Sequence, residues 1–392
     1  MLMGQVLARL TVAVFLFYAM TPGVAAQAPG QANPDDAQRD TSRQGRATTR
    51  GSYVRLARAP NMFGDSLNPF GQITFGRPPN PNNPGLPPDG QTAVLDVPLG
   101  GNSPTKISEN SSTLPTDRIF FNYNGYQNAV QFTPNLGLPP DRTSFNQYTL
   151  GAEKTFLDGN ASLDVRVPLQ DRLEFNTPDL QAAGGNLGNV TLYLKGLLYA
   201  EEDFAFGGGL GIGLPTGDDF QAQSLTGGFL IENEAVHLLP YLGFLRSLNE
   251  DWFVQSFVQF DFAANGNPVT LFPQQPGNSG IYSEQHLMHL DLTVGRWLYQ
   301  NPDAAYLSRI AGVIELHYTS TLQDADSLVL GDPAVFQLTN AANRSDILNL
   351  TGGLQFQFGE MSNLRVACVV PVREFPDRLF TSEVQVSFNR YF

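Results

Sequence analysis

The sequence predicts an all-β fold: a transmembrane antiparallel up-and-down β-barrel of about twelve strands behind a disordered N-terminal segment. Three observations lead there. From residue 117 onward, runs of roughly the nine to eleven residues that a tilted bilayer-crossing strand needs alternate apolar and polar positions. The connections between these runs alternate between short and long. The last run, "SEVQVSFNRYF", places Val384, Val386 and Phe388 on one face and finishes on Phe392.

Composition narrows the partners. The net charge of −14 opposes binding to nucleic acid, whose phosphates require basic surface. With 28 Phe and 13 Tyr but only 15% charged residues, the chain has much apolar surface to place and no long apolar run to hold it. Alternation is the remaining way to place it. The single cysteine, Cys368, rules out an internal disulfide and reads as a small apolar strand residue.

The elements follow in order. Residues 1–28 read as a cleaved secretory signal, with Arg9, an apolar run from Leu10 to Met20, Pro22, and small residues around Ala26 and Ala28. Residues 29–116 read as a flexible periplasmic segment rich in Pro, Asn and Gly. A more apolar piece within it, "RLARAPNMFGDSLNPFGQ", is a candidate plug. Residues 117–392 form the barrel. Its runs are "DRIFFNYNGYQNA", "FNQYTLGAEKTF", "SLDVRVPL", "NVTLYLKGLLYA", "FAFGGGLGIGL", "AVHLLPYLGFLRSL", "WFVQSFVQFDFA", "HLMHLDLTVGRWLY", "SRIAGVIELHYTS", "ILNLTGGLQFQF", "LRVACVVPVR" and the terminal strand. Short links such as "EED", "NED" and "GEMSN" suit the periplasmic end. Long ones such as "PTGDDFQAQSLTGGFLIENE" suit the outer end and are expected to lack regular structure.

Parity assigns faces. Leu150, Val258 and Leu290 fall on the apolar side, and Glu153, Arg166, Lys195, Gln255, Gln259, Asp261, His289, Asp291, Glu315 and His317 on the lumen side. Carried to the short-turn end, the apolar parity lands on Phe156, Phe204, Trp252, Phe358 and Phe392, an expected lipid-facing aromatic girdle. The expected register of the eighth and ninth strands sets His289 opposite His317 and Asp291 opposite Glu315. That group is able either to hold a divalent ion or simply to populate a polar lumen. No metal and no cofactor is assigned. Gly207, Gly209, Gly211 and Gly213 share the inward parity of the fifth strand and leave room for a plug, a solute or barrel curvature. The long loops are acidic, with Asp171, Glu174, Asp179, Asp218, Asp219, Glu232, Glu234, Asp324, Asp326 and Asp332.

Two resemblances add to this reading. The ending resembles the carboxyl-terminal recognition signal of bacterial outer-membrane proteins, although Arg390 stands where an aromatic is usual. It implies the barrel-assembly machinery as a partner. The stretch "FAFGGGLGIGLPTGDDF", with Pro215-Thr216-Gly217-Asp218 as its core, resembles the family described as "MetA-pathway of phenol degradation" and related outer-membrane transporters. That likeness is local. It implies an exported barrel in the outer membrane that passes small, hydrophobic or aromatic solutes, and it carries no catalytic residues. The expected function is therefore an outer-membrane channel with lipid and a small-molecule solute as partners, and not an enzyme. The alternatives are a non-transporting surface barrel acting through its acidic loops and, less favoured, a barrel-embedded lipid hydrolase. The latter needs a serine beside His286, and none is evident in sequence.

Overall fold

Alternation of apolar and polar residues can be satisfied in a membrane only if every strand edge is paired, and here the edges close on themselves. The structure is a computed structural model. It describes residues 56–392 apart from 57–58, 69–70, 76–92, 98–103, 134–140, 172–173, 177–180, 185, 225–226, 273–277, 332–335 and 341. The secretory signal expected over residues 1–28 lies outside the described residues.

Twelve strands form the ring: β1 Arg118–Thr133, β2 Asp141–Phe156, β3 Ala161–Gln170, β4 Thr191–Ala200, β5 Phe204–Gly213, β6 His237–Ser247, β7 Trp252–Ala263, β8 Leu287–Gln300, β9 Leu307–Thr321, β10 Asp346–Phe358, β11 Ser362–Pro371 and β12 Ser382–Tyr391. Each pairs antiparallel with the next. β12 then closes on β1 through Val384↔Gly125 and Phe388↔Phe121. The sheet is thus a complete antiparallel barrel.

Side chains alternate across this wall as the pleat requires. Leu150, Leu194, Leu242, Leu290, Ile314 and Val384 are exposed on the outer face, while Thr149, Lys195, His289, Glu315 and Gln385 are buried within. Phe156, Trp252, Phe358 and Phe392 are exposed at the short-turn end, and Phe204 is half-buried there. Cys368 is a free, exposed residue on β11.

The long connections depart from expectation. Strands Glu174–Asn176, Gln181–Ala183, Phe220–Ser224, Gly227–Ile231, Asn267–Phe272 and Ser279–Tyr282 make a separate six-stranded sheet. Ser327–Leu330 and Phe336–Thr339 form another hairpin. The reason is that these loops carry their own alternation: Phe220, Ala222, Phe229, Ile231, Val269 and Leu271 join one apolar cluster with Tyr126, Phe145, Phe336, Leu338 and Phe380. The loop acids tie the loops together. Asp218 accepts the N–H groups of Asn186 and Leu187, Asp219 that of Asn233, and Asp324 binds Arg344 at 2.7 Å. Asp179 and Asp332 lie outside the described residues.

One register differs as well. Asp291 faces His317, His289 faces Thr319, and Thr293 faces Glu315, so the expected His289–His317 and Asp291–Glu315 pairs do not form. The first strand runs on to Gln300, which lies opposite Arg309, and a bulge lies between Trp297 and Tyr299. The shift is two residues, which preserves each side chain's face while changing its partner.

Candidate functional site: the barrel interior

The ten inward polar residues do not surround an empty bore. Residues 56, 59–68 and 104–117, which precede β1, run between them. Met62 bridges Ser111 across the two legs of this segment, and Asn110 N–H donates to the Phe63 carbonyl. Where the legs touch, Gly64 of the first leg adopts φ +78°, and a Cβ there would sit 2.8 Å from the Glu109 backbone. Only glycine takes that backbone conformation without strain.

Polar wall residues are committed to this segment one by one. Glu315 accepts N–H bonds from Phe63 at 2.9 Å and Gly64 at 3.0 Å. Gln259 accepts from Ile107 N–H at 2.7 Å, and Gln255 donates to the Ser111 carbonyl at 3.1 Å. Arg166 donates to the Lys106 carbonyl while pairing with Asp164 at 2.9 Å. Glu153 collects Lys195 at 2.8 Å, Arg118 at 2.9 Å, Ser162 Oγ and the Thr116 N–H. Each of these charges is almost wholly buried. Burial without a partner would cost several kcal/mol per ion, so the network needs its full complement.

His317 and Asp291 come together at 2.8 Å, with His317 Nε2 3.0 Å from Thr351 Oγ1 and 3.3 Å from Glu315. Asp65, Asp291 and His317 bring three possible ligand atoms within 4.8 Å of one another. Lys106 Nζ already stands 2.9 Å from Asp65 and supplies positive charge at that place. His289 is apart from this group and lies 2.9 Å from Thr319. Asp261 is elsewhere again, 2.5 Å from His237. His286 packs edge-on against Phe262, and its Nδ1 has no hydrogen-bond partner among the described residues.

Sequence reasoning missed Asp65, Lys106, Asn110, Arg365 and Glu383. Arg365 lies over the Phe63 ring at 3.9 Å and donates to Asn110 Oδ1 and to the Asn61 carbonyl. Asn110 also bonds Asn122 and Asn389. Glu383 accepts from Asn124 and Gln385. Parity in "LRVACVV" and "SEVQV" places Arg365 and Glu383 inward, so that signal was present in the sequence.

The glycine stripe of β5 receives the segment at two of its four positions. A Cβ at Gly207 would lie 3.0 Å from the Thr113 carbonyl, and one at Gly213 would lie 2.9 Å from Pro104 Cβ. At Gly209 and Gly211 the room goes to the rings of Tyr241 and Tyr193.

No protein-family model matches the chain, and no curated protein matches it either. Several solved structures overlay on it. An outer membrane channel from Pseudomonas putida F1 is 11% identical, with TM-score 0.42, covering 71% of this chain and 97% of that one. The β domain of the Bordetella autotransporter BrkA gives 11% and 0.42, over 71% and 100%. The CymD monoaromatic hydrocarbon channel gives 11% and 0.36, over 82% and 87%. At such identities and TM-scores the overlays carry no conclusion about activity.

Proposed function

We propose that the protein is an outer-membrane channel for small solutes whose lumen is closed at rest by its own N-terminal segment. The observation that carries this reading is the interior itself. A polar bore inside an apolar cylinder is what an aqueous passage through lipid requires. Here the wall residues Glu153, Arg166, Lys195, Gln255, Gln259, Glu315 and Gln385 are all bonded to residues 61–68 or 104–117. Passage then depends on displacing that segment, which acts as a plug.

In this reading Glu153, Arg166, Lys195, Gln255, Gln259, Asp261, His289, Asp291, Glu315 and His317 line the path. Phe156, Phe204, Trp252, Phe358 and Phe392 lie at the periplasmic lipid interface. The exposed apolar wall meets outer-membrane lipid, and β12 with its terminal Phe392 is the strand engaged by the barrel-assembly machinery. The resemblance around Pro215-Thr216-Gly217-Asp218 suggests hydrophobic or aromatic solutes.

A second reading has one observation in its favour. The outer loops pack with the upper ends of the wall strands and with Leu67 into one apolar cluster, a second closure above the lumen. A permanently closed barrel presenting an ordered outer surface would have that feature.

Planar-bilayer recording separates the two. The full chain should be silent or flicker briefly, and the chain lacking residues 53–113 should conduct steadily. A folded, inserted deletion variant that remains silent would exclude the channel.

A further inference from the structure

The path of the N-terminal segment has a consequence for what the cell surface carries. β1 rises from Arg118 at the short-turn end to Thr133 at the long-loop end. Strand Ala93–Val97 pairs with its far end, through Val94↔Thr133, Leu95↔Phe132 and Asp96↔Gln131. Strand Gly71–Phe75 pairs in turn with Ala93–Val97, with Phe75 opposite Ala93, and with Phe336–Thr339 on its other edge. Phe75 and Ala93 therefore stand at the outermost point of this pairing.

The two legs below span the height of the wall. The first meets Arg365 near the start of β11, then Glu315 midway along β9, then Asn349 and Asn124, and ends with Leu67 in the outer apolar cluster. The second begins with Pro104 against Gly213, the outer end of β5, and Thr105 on Thr191, the outer start of β4. It then meets Gln259, Gln255 and Glu153, and reaches Thr155 through Asp117 near the foot of β2. Among the described residues, neither leg turns back within the barrel.

The outer strand also has a structural task. β12 covers one edge of β1 only as far as Gln127. Above that point the edge would be open to other chains, and Ala93–Val97 occupies it.

We propose that the N-terminal segment crosses the membrane twice inside the barrel and that its strands Gly71–Phe75 and Ala93–Val97 stand on the cell-surface side. The barrel is thus the carrier of its own N-terminal hairpin as well as a channel. This inference rests on the membrane orientation proposed above.

The test places one short protease-cleavable epitope in the full chain between Phe75 and Ala93, and in a second variant between Phe272 and Asn278 as the outer-loop control. Heat-modifiable migration verifies that each variant forms the barrel. Intact cells are then exposed to a membrane-impermeant protease. Cleavage of both epitopes to the same extent before and after permeabilisation is the expected result. Cleavage of the control alone, with the N-terminal epitope reached only after permeabilisation, overturns the inference and leaves the orientation standing. Protection of both in intact cells overturns the orientation and the inference together.

Discussion

At the scale of single residues, carboxylates on the inner wall receive backbone N–H groups of the N-terminal segment. Glu315 is the clearest, holding Phe63 and Gly64 from across the interior. Hydrogen bonds to a charged group are worth about 1.5–3 kcal/mol each, and the orphaned donors add to the loss. Glu315→Ala should therefore raise hydrogen exchange at the Phe63 and Gly64 amides about a hundredfold, equivalent to roughly 3 kcal/mol. Unchanged protection would mean that the segment is held by other contacts. Gly64→Ala should destabilise docking by about 1–3 kcal/mol, because φ +78° and the Glu109 backbone both oppose a Cβ. Thermal unfolding in detergent reads this. In the outer loops, burial pushes the Glu284 carboxyl above its ordinary value, against the pull of His237. The folded group keeps its proton to higher pH than the unfolded chain does, so its contribution is complete below the ordinary value and fades as pH rises through the folded one. Glu284 holds Asn267, which in turn accepts the Glu234 and Ala235 amides. Protection of those two amides should fall with rising pH in the native chain and stay level in Glu284→Gln. A level profile in both would sink that link.

At the scale of elements, β5 shows what the pattern of one strand could convey. Its alternate glycines marked an inward face without side chains, and three uses were open: plug, solute or curvature. The answer depended on Thr113 and Pro104, which lie about a hundred residues earlier and carry no periodic signal of their own. Gly213→Leu, whose nearest obstruction is Pro104, should therefore expel the second leg while leaving the ring intact. The expected outcome is normal heat-modifiable migration with cleavage of the 104–117 leg by added protease. Continued protection would place the leg elsewhere. The facing of β2, β7 and β8 was readable because parity depends only on neighbours in sequence. Register was not, because it depends on turn width and on the bulge between Trp297 and Tyr299. The hairpins in the long loops were hidden for another reason. Their strands are three to six residues long and gain their apolar partners from several different loops.

At the scale of the whole molecule, closure links sequence to function. Twelve strands of alternating character remove every backbone edge from hydrocarbon and leave a polar bore. A bore of this width holds a two-legged segment, bonded to the wall from Asn61 to Asp117. In the proposed function this segment closes a passage that would otherwise conduct. Single-channel recording on the full chain and on the chain lacking residues 53–113 is the test, with both verified as folded barrels. Little or no steady current is expected from the first and a stable unitary conductance from the second. Equal conductance from both, or silence from both, would contradict that function.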